Sequence, residues 1–259
     1  MIPFRPFVLL CFSAIFAFAM VSGAQAEPPR PVIVIDPGHG GSSVAGTLKE
    51  RSNSSPNNAR SPSGIYEKDI TLEFSKILHA ELLALAGKQR KPVGVMLTRT
   101  DDKNLNFAER ARICDRPDTV CIVSIHFNAS KNHDARGSLS LISSEKRNPN
   151  YDTDHRFGMG LAEACAKGIR PFLPGAKNRG VITDGHLHGG LGSNFFFQLK
   201  LKKRLAKVPK AFLEVEFMDN PVVEEALFKT DREKKFRAIA SSIAEFLLKD
   251  IDPVAIERP

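Results

Sequence analysis

The chain alternates short apolar runs with polar stretches rich in glycine and proline. Val32-Ile33-Val34-Ile35 is continuous and β-branched, the pattern of a strand buried on both faces. Asp36-Pro37-Gly38-His39-Gly40-Gly41 ends it abruptly, and residues 42–64, dominated by Ser, Asn and Pro, read as a long mobile loop. From Lys68 onward Ile70, Phe74, Ile77, Leu78, Leu82 and Leu85 recur at three and four, which predicts a helix stopped by Gly87. Residues 93–97 predict a second strand, 105–114 a helix, 120–125 another buried strand and 138–143 a further one. Residues 157–169 predict a helix ended by Pro171, 211–217 a strand, and 221–248 a mostly helical segment. Strands that alternate with helices and are apolar throughout imply an α/β fold with a largely parallel, twisted sheet flanked by helices. No repeat or second composition regime divides the chain, so a single domain is expected over about residues 31–250.

The N-terminus follows another rule. Arg5 is the only charge before an apolar run from Phe7 to Val21, and Ala24-Gln25-Ala26 follows it. A short apolar run closed by an Ala-x-Ala site is the layout of a secretory signal peptide, whereas a membrane span needs roughly 20 apolar residues. Residues 1–26 are therefore expected to be removed, leaving a lead-in at 27–30, the domain at 31–250, a tail at 251–259 and no membrane span. The expected location is the periplasm or cell envelope.

Composition narrows the partners. Of 259 residues 42% are hydrophobic and 25% charged, ordinary values that exclude collagen-like, coiled-coil and wholly disordered chains. The formal charge of +8 favours an anionic partner, and export makes that partner an acidic envelope polymer rather than nucleic acid. After signal cleavage Cys114, Cys121 and Cys165 remain, too few for a disulfide framework. Cys114 and Cys121 flank a short loop, and either a disulfide between them or buried thiols fits the sequence.

Ligands of such sheets bind beyond the carboxyl ends of the strands. His39 follows the first strand, His126 ends the strand at Ile125, Glu214 lies on the late strand, and Glu67 starts the first long helix. Two imidazoles and a carboxylate form the ligand set of a catalytic zinc centre with one open position. The glycines around His39 let the backbone turn sharply beside a bulky ligand.

These residues sit inside a longer ordered pattern. Asp36-Pro37-Gly38-His39-Gly40-Gly41, Tyr66-Glu67-Lys68-Asp69-Ile70 and Leu97-Thr98-Arg99-Thr100-Asp101-Asp102 are followed by Ser124-Ile125-His126-Phe127-Asn128-Ala129 and Glu214-Val215-Glu216-Phe217-Met218-Asp219-Asn220-Pro221. Together they resemble the zinc-dependent N-acetylmuramoyl-L-alanine amidases of the Amidase_3 type, over about residues 31–248. The resemblance implies that His39, Glu67 and His126 bind Zn2+ at the carboxyl ends of the strands. It implies that Glu214 is the catalytic glutamate and that Arg110 is structural. The implied reaction is hydrolysis of the amide between N-acetylmuramic acid and L-alanine of the stem peptide. Zinc-activated water would attack, with Glu214 as base and then acid. Glu216 competes for that role, because residues two apart on a strand share a face.

Two stretches depart from the family's pattern. The loop between His39 and Glu67 is longer than the short glycine-rich loops of the family and reads as an inert rim or a glycan contact. Residues 184–197, with Gly185-His186-Leu187-His188-Gly189-Gly190, read as a substrate loop or a plain exposed loop, and Phe195-Phe196-Phe197 as core or as an apolar cleft wall. No extra helix is expected between His126 and Glu214 beyond 157–169, which favours constitutive activity, although an activator of unknown identity is left open; the expected state is a monomer. Lys200, Lys202, Lys203, Arg204, Lys207 and Lys210 are either a solvated charge run or a surface for acidic stem peptides. Peptidoglycan is thus the expected partner. The rival readings are a zinc peptidase acting within the stem peptide and a non-catalytic envelope-binding protein.

Overall fold

The computed structural model describes residues 30–56 and 59–250, together with Met1. The expected signal peptide and the tail at 251–259 lie outside the described residues. The elements in chain order are β1 (Val32–Pro37), α1 (Glu67–Lys88), β2 (Gly94–Leu97), α2 (Phe107–Cys114), β3 (Thr119–Asn128), β4 (Ser138–Ile142), α3 (Tyr151–Ile169), β5 (Asn178–Thr183), α4 (Asn194–Lys200), β6 (Lys210–Phe217), α5 (Pro221–Glu224) and α6 (Arg232–Asp250). Among the described residues no helix is long and apolar enough to cross a membrane.

The strands form one six-stranded sheet in the order β2-β1-β3-β6-β4-β5. Pairing is parallel everywhere except between β4 and β6. The chain leaves β1 toward β2, then crosses back over β1 to β3. The carboxyl ends of β1 and β3 therefore flank a topological switch point, where an α/β sheet opens a crevice.

Both faces of the sheet are covered, which is why its central strands read as unbroken apolar runs. Ile33, Ile35, Val123, Ile125, Leu213 and Val215 face one layer, with Phe74 and Leu78 of α1, Leu161 of α3 and Phe236 and Ile243 of α6. Val32, Val34, Ile122 and Phe212 face the opposite layer, with Ala111 of α2 and Phe195, Phe196 and Leu199 of α4. Cys121 belongs to the first layer and Cys114 to the second, so the sheet separates them. Cys114, Cys121 and Cys165 are buried thiols and no disulfide joins the first two, which decides between the alternatives left open above.

Several boundaries differ from expectation for local reasons. α2 starts at Phe107 because Asn106 caps it, with the reciprocal Asn106–Glu109 capping box in place. α3 begins at Tyr151, well before 157, and its Asp154 is buried against Asn148, Asn150 and the Lys210 N–H. β5 has no apolar run to announce it; it is an edge strand of the sheet with an exposed or half-buried pattern. The C-terminal helical segment breaks after Lys229 and resumes at Arg232, with Asp231 at φ 49°.

Three expectations are corrected. The 42–64 stretch is built into the fold: Ser52, Ser54 and Ser61 are buried, and bridges pair Ala45 with Ser54 and Arg60 with Tyr66. A further helix, α4, does lie between His126 and Glu214; it packs on α2 and places Phe195 and Phe196 in the core, because three successive phenylalanines cannot all face water. Lys210 does not belong to the basic surface. It is buried, with Nζ donating to the Leu205 and Val208 carbonyls and lying 3.6 Å from Asp154.

Candidate metal centre and active site

Three elements bring three side chains to the switch point. β1 ends at Pro37 and the chain turns through Gly38 into His39, whose φ of 59° lies in the left-handed region. Gly38 is required there, since a Cβ on it would stand 2.5 Å from the His126 ring. Glu67 is the first residue of α1, where the positive end of the helix favours a carboxylate. His126 projects from β3 on the face shared with Ser124 and Ile122.

The three meet closely. His39 Nε2 lies 3.2 Å from Glu67 Oε2, and His126 Nδ1 lies 3.1 Å from Glu67 Oε1. The two imidazoles stand edge to face, with ring centroids 5.0 Å apart. One donor atom from each of the three residues lies within 4.8 Å of the others. Burial would raise the Glu67 carboxyl, but the charge of His39 and hydrogen bonds from both imidazoles hold it down at about 2. A carboxylate that stays ionised between two imidazoles suits a divalent cation.

A second layer orients the first. His39 Nδ1 is 3.1 Å from the Ser55 carbonyl and can only donate to it, so Nε2 is the nitrogen whose lone pair would face a bound metal. Glu67 Oε1 also accepts the Phe127 N–H, at 3.2 Å. Two buried arginines grip the turn that carries His39. Arg99 donates to the carbonyls of Pro37 and Gly38, and Arg110 to those of Leu105, Pro37 and His39. Asp36 balances Arg110 at 2.7 Å and also accepts from Thr98 and Ser124. Burial would raise Asp36, yet the Arg110 charge and these hydrogen bonds leave it below its ordinary value. Arg110 thus has a visible structural part; Arg99 and Asp36 share it, and the sequence pattern gave no role to either.

Glu214 enters from the next strand. The β3–β6 register sets it directly beside His126, so the two share a face. Beyond that pair β6 advances three residues, to Phe217, while β3 advances two, to Asn128. This bulge turns Glu216 away, and its carboxylate accepts the N–H groups of Gly137 and Phe217 instead. The premise that residues 214 and 216 share a face therefore fails here. Glu214 lines a cavity of about 640 Å3 together with His39, Glu67 and His126. Its Oε2 is buried and has no hydrogen-bond partner among the described residues. Burial pushes its carboxyl up to about 7, with the charge of His126 opposing and that of Glu67 adding.

His186, Leu187 and His188 line the same cavity from the far side, and Asn53, Ser54 and Ser55 line it as well. Phe107 and Phe212 form part of its floor.

Known proteins are similar to this chain in sequence and fold. The model of the family described as Amidase_3, N-acetylmuramoyl-L-alanine amidase, matches residues 33–248. A probable N-acetylmuramoyl-L-alanine amidase, AmiB, of Haemophilus influenzae is 36% identical over 115 residues, a match covering 44% of this chain and 23% of that protein. The crystal structure of an N-acetylmuramoyl-L-alanine amidase from Clostridium difficile 630 superposes with a TM-score of 0.60 at 22% identity, covering 85% of this chain and 96% of that one. The CwlD amidase of Clostridioides difficile, solved in complex with the GerS lipoprotein, gives a TM-score of 0.58 at 20% identity, covering 85% of this chain and all of that one. At these identities the structures speak for the fold alone, which they share nearly from end to end.

Proposed function

This chain belongs to the Amidase_3 family of N-acetylmuramoyl-L-alanine amidases, and from that membership we propose that it hydrolyses the amide joining N-acetylmuramic acid to L-alanine of the peptidoglycan stem peptide. The observation that carries the reading is one cavity lined by a His-Glu-His donor set and, on the neighbouring strand, by Glu214, whose Oε2 has no hydrogen-bond partner among the described residues. His39, Glu67 and His126 would hold the metal, and two nitrogens with one carboxylate oxygen suit Zn2+ with an open position. When bound, zinc supplies Lewis acidity, which acidifies water and polarises a carbonyl.

The chain's own residues do the rest. The Glu214 carboxylate takes a proton from the attacking water and later delivers it to the alanine nitrogen, because an amine leaves poorly unless protonated. A carboxyl lifted to about 7 suits both halves of that exchange near neutral pH. Ser55, through its carbonyl, and Arg110 and Arg99, through the turn they grip, hold the His39 ring in place. The substrate lies outside the cytoplasm, so the reading includes export, cleavage after Ala26 and a periplasmic or envelope location.

Digestion of purified peptidoglycan, followed by mass spectrometry with and without a zinc chelator, tests the proposal. Stem peptides that begin at L-alanine, beside glycan with intact lactyl groups and only in the unchelated sample, are expected. Cuts between stem residues would make the protein a zinc peptidase. Silence from the zinc-loaded protein, with activity restored by a partner such as the lipoprotein seen with CwlD, would retain the chemistry but end the expectation of constitutive activity.

A further inference from the structure

The two stretches that depart from the family's pattern meet in space, and Arg51 joins them. Its Nη2 donates to the carbonyls of Leu191 and Gly192, both at 3.0 Å, and its Nε to Asn194 Oδ1 at 3.0 Å. Its guanidinium lies 4.1 Å over the Phe197 ring. Asn194 donates in turn to Asn53, and Gln198 to the Glu50 and Arg51 carbonyls. On the other side, the buried Asp184 carboxylate closes the loop by accepting the N–H groups of Ser144 and Ser193 and a guanidinium N–H of Arg147. A polar frame satisfied this fully fixes one loop conformation, at a cost in side-chain entropy that a plain surface loop need not bear.

What the frame presents to the cavity is two imidazoles. His186 and His188 are exposed and line the cavity that holds Glu214, and their imidazoles hydrogen-bond to no other described residue. His188 adopts φ 48° and ψ 46°, a left-handed conformation uncommon for any residue but glycine. Imidazole N–H groups suit a carboxylate. The wall is less suited to a sugar face: the chain has no Trp, and Phe212, one of the cavity's aromatic rings, is packed into the core.

We propose that the Asp184–Ser193 loop, buttressed by Arg51, selects the peptide arm of the substrate, with His186 and His188 donating hydrogen bonds to a carboxylate of an acidic stem peptide. The inference rests on the amidase reading above and names the part of the substrate this wall receives.

The test is steady-state kinetics on a soluble muramoyl-peptide with free stem carboxylates and on the same compound with those carboxylates amidated. The zinc-loaded full chain should lose roughly tenfold in kcat/KM on amidation, mostly through KM. The double variant H186A/H188A should lose a similar factor on the free-carboxylate substrate and nothing more on the amidated one. Arg51→Ala, which removes the buttress and leaves both imidazoles, should raise KM with kcat little changed. A wild-type protein indifferent to amidation, or a double variant that still discriminates, would overturn the inference while the amidase reading stands. Absence of any L-alanine-terminated product from the wild type, with zinc shown to be bound and none restored by a partner lipoprotein, would overturn the amidase reading and the inference with it.

Discussion

Glu214 and Glu216 sit two residues apart on one strand and have different surroundings. Glu216 accepts the Gly137 and Phe217 N–H groups at one oxygen and lies outside the cavity, whereas Glu214 lines it; each keeps its Oε2 buried with no hydrogen-bond partner among the described residues. A buried carboxylate oxygen without a partner is costly, and of the two only Glu214 holds it beside a cavity where a ligand or a reaction can use it. Glu214→Gln keeps the shape and removes the proton acceptor. Turnover should fall by about 100- to 10,000-fold, with zinc content by atomic absorption unchanged. A variant that keeps full activity would remove Glu214 from the mechanism. His39, Glu67 and His126 were each legible as chemistry-bearing residues at strand or helix ends. The bulge that parts Glu214 from Glu216 was not, because it arises from how β6 registers on β3.

At the scale of elements, Asp36 is the knot. It belongs to β1 and binds Thr98 after β2, Arg110 on α2 and Ser124 on β3. Its folded pKa lies below its ordinary value. The stability that this ionised group contributes is therefore fully present above the unfolded carboxyl pKa, near 4, and is lost as pH falls through the lower folded value. Asp36→Asn leaves Arg110 buried without its counter-charge, a defect of about 3–5 kcal/mol at pH 7. Chemical denaturation should show that gap at pH 7 and a narrower one at pH 3, as the wild type loses the same contribution. A gap independent of pH would sink this account. Most elements were legible, since β1, α1, β3 and β6 carry unbroken or periodic apolar patterns. β5 and α4 were not: the first is an edge strand with little to bury, and the second buries a short Phe-rich run that has no length over which to show a period.

At the scale of the whole molecule, the switch point between β1 and β3 gathers His39, Glu67 and His126, which could hold a metal ion, from three separate elements. Metal bound only by the folded chain must stabilise it by mass action. Zinc at 1,000 times its dissociation constant adds about 4 kcal/mol, which corresponds to roughly 10 °C in melting temperature for a domain of this size. A chelator should remove that increment from the wild type and leave His39→Ala unmoved; equal melting with and without chelator would argue against a bound metal. The sequence by itself determined the α/β class, the apolar strands and the residues at their carboxyl ends, because period and burial are properties of neighbours in the chain. Tertiary structure alone decided the crossover that puts β1 beside β3, the separation of Cys114 from Cys121 by the sheet, and the grip of Arg99 and Arg110 on the His39 turn. It also decided the meeting of two long loops at Arg51. Each of these depends on contacts between residues far apart in sequence, and a local pattern carries no record of which distant backbone carbonyl a buried guanidinium will find.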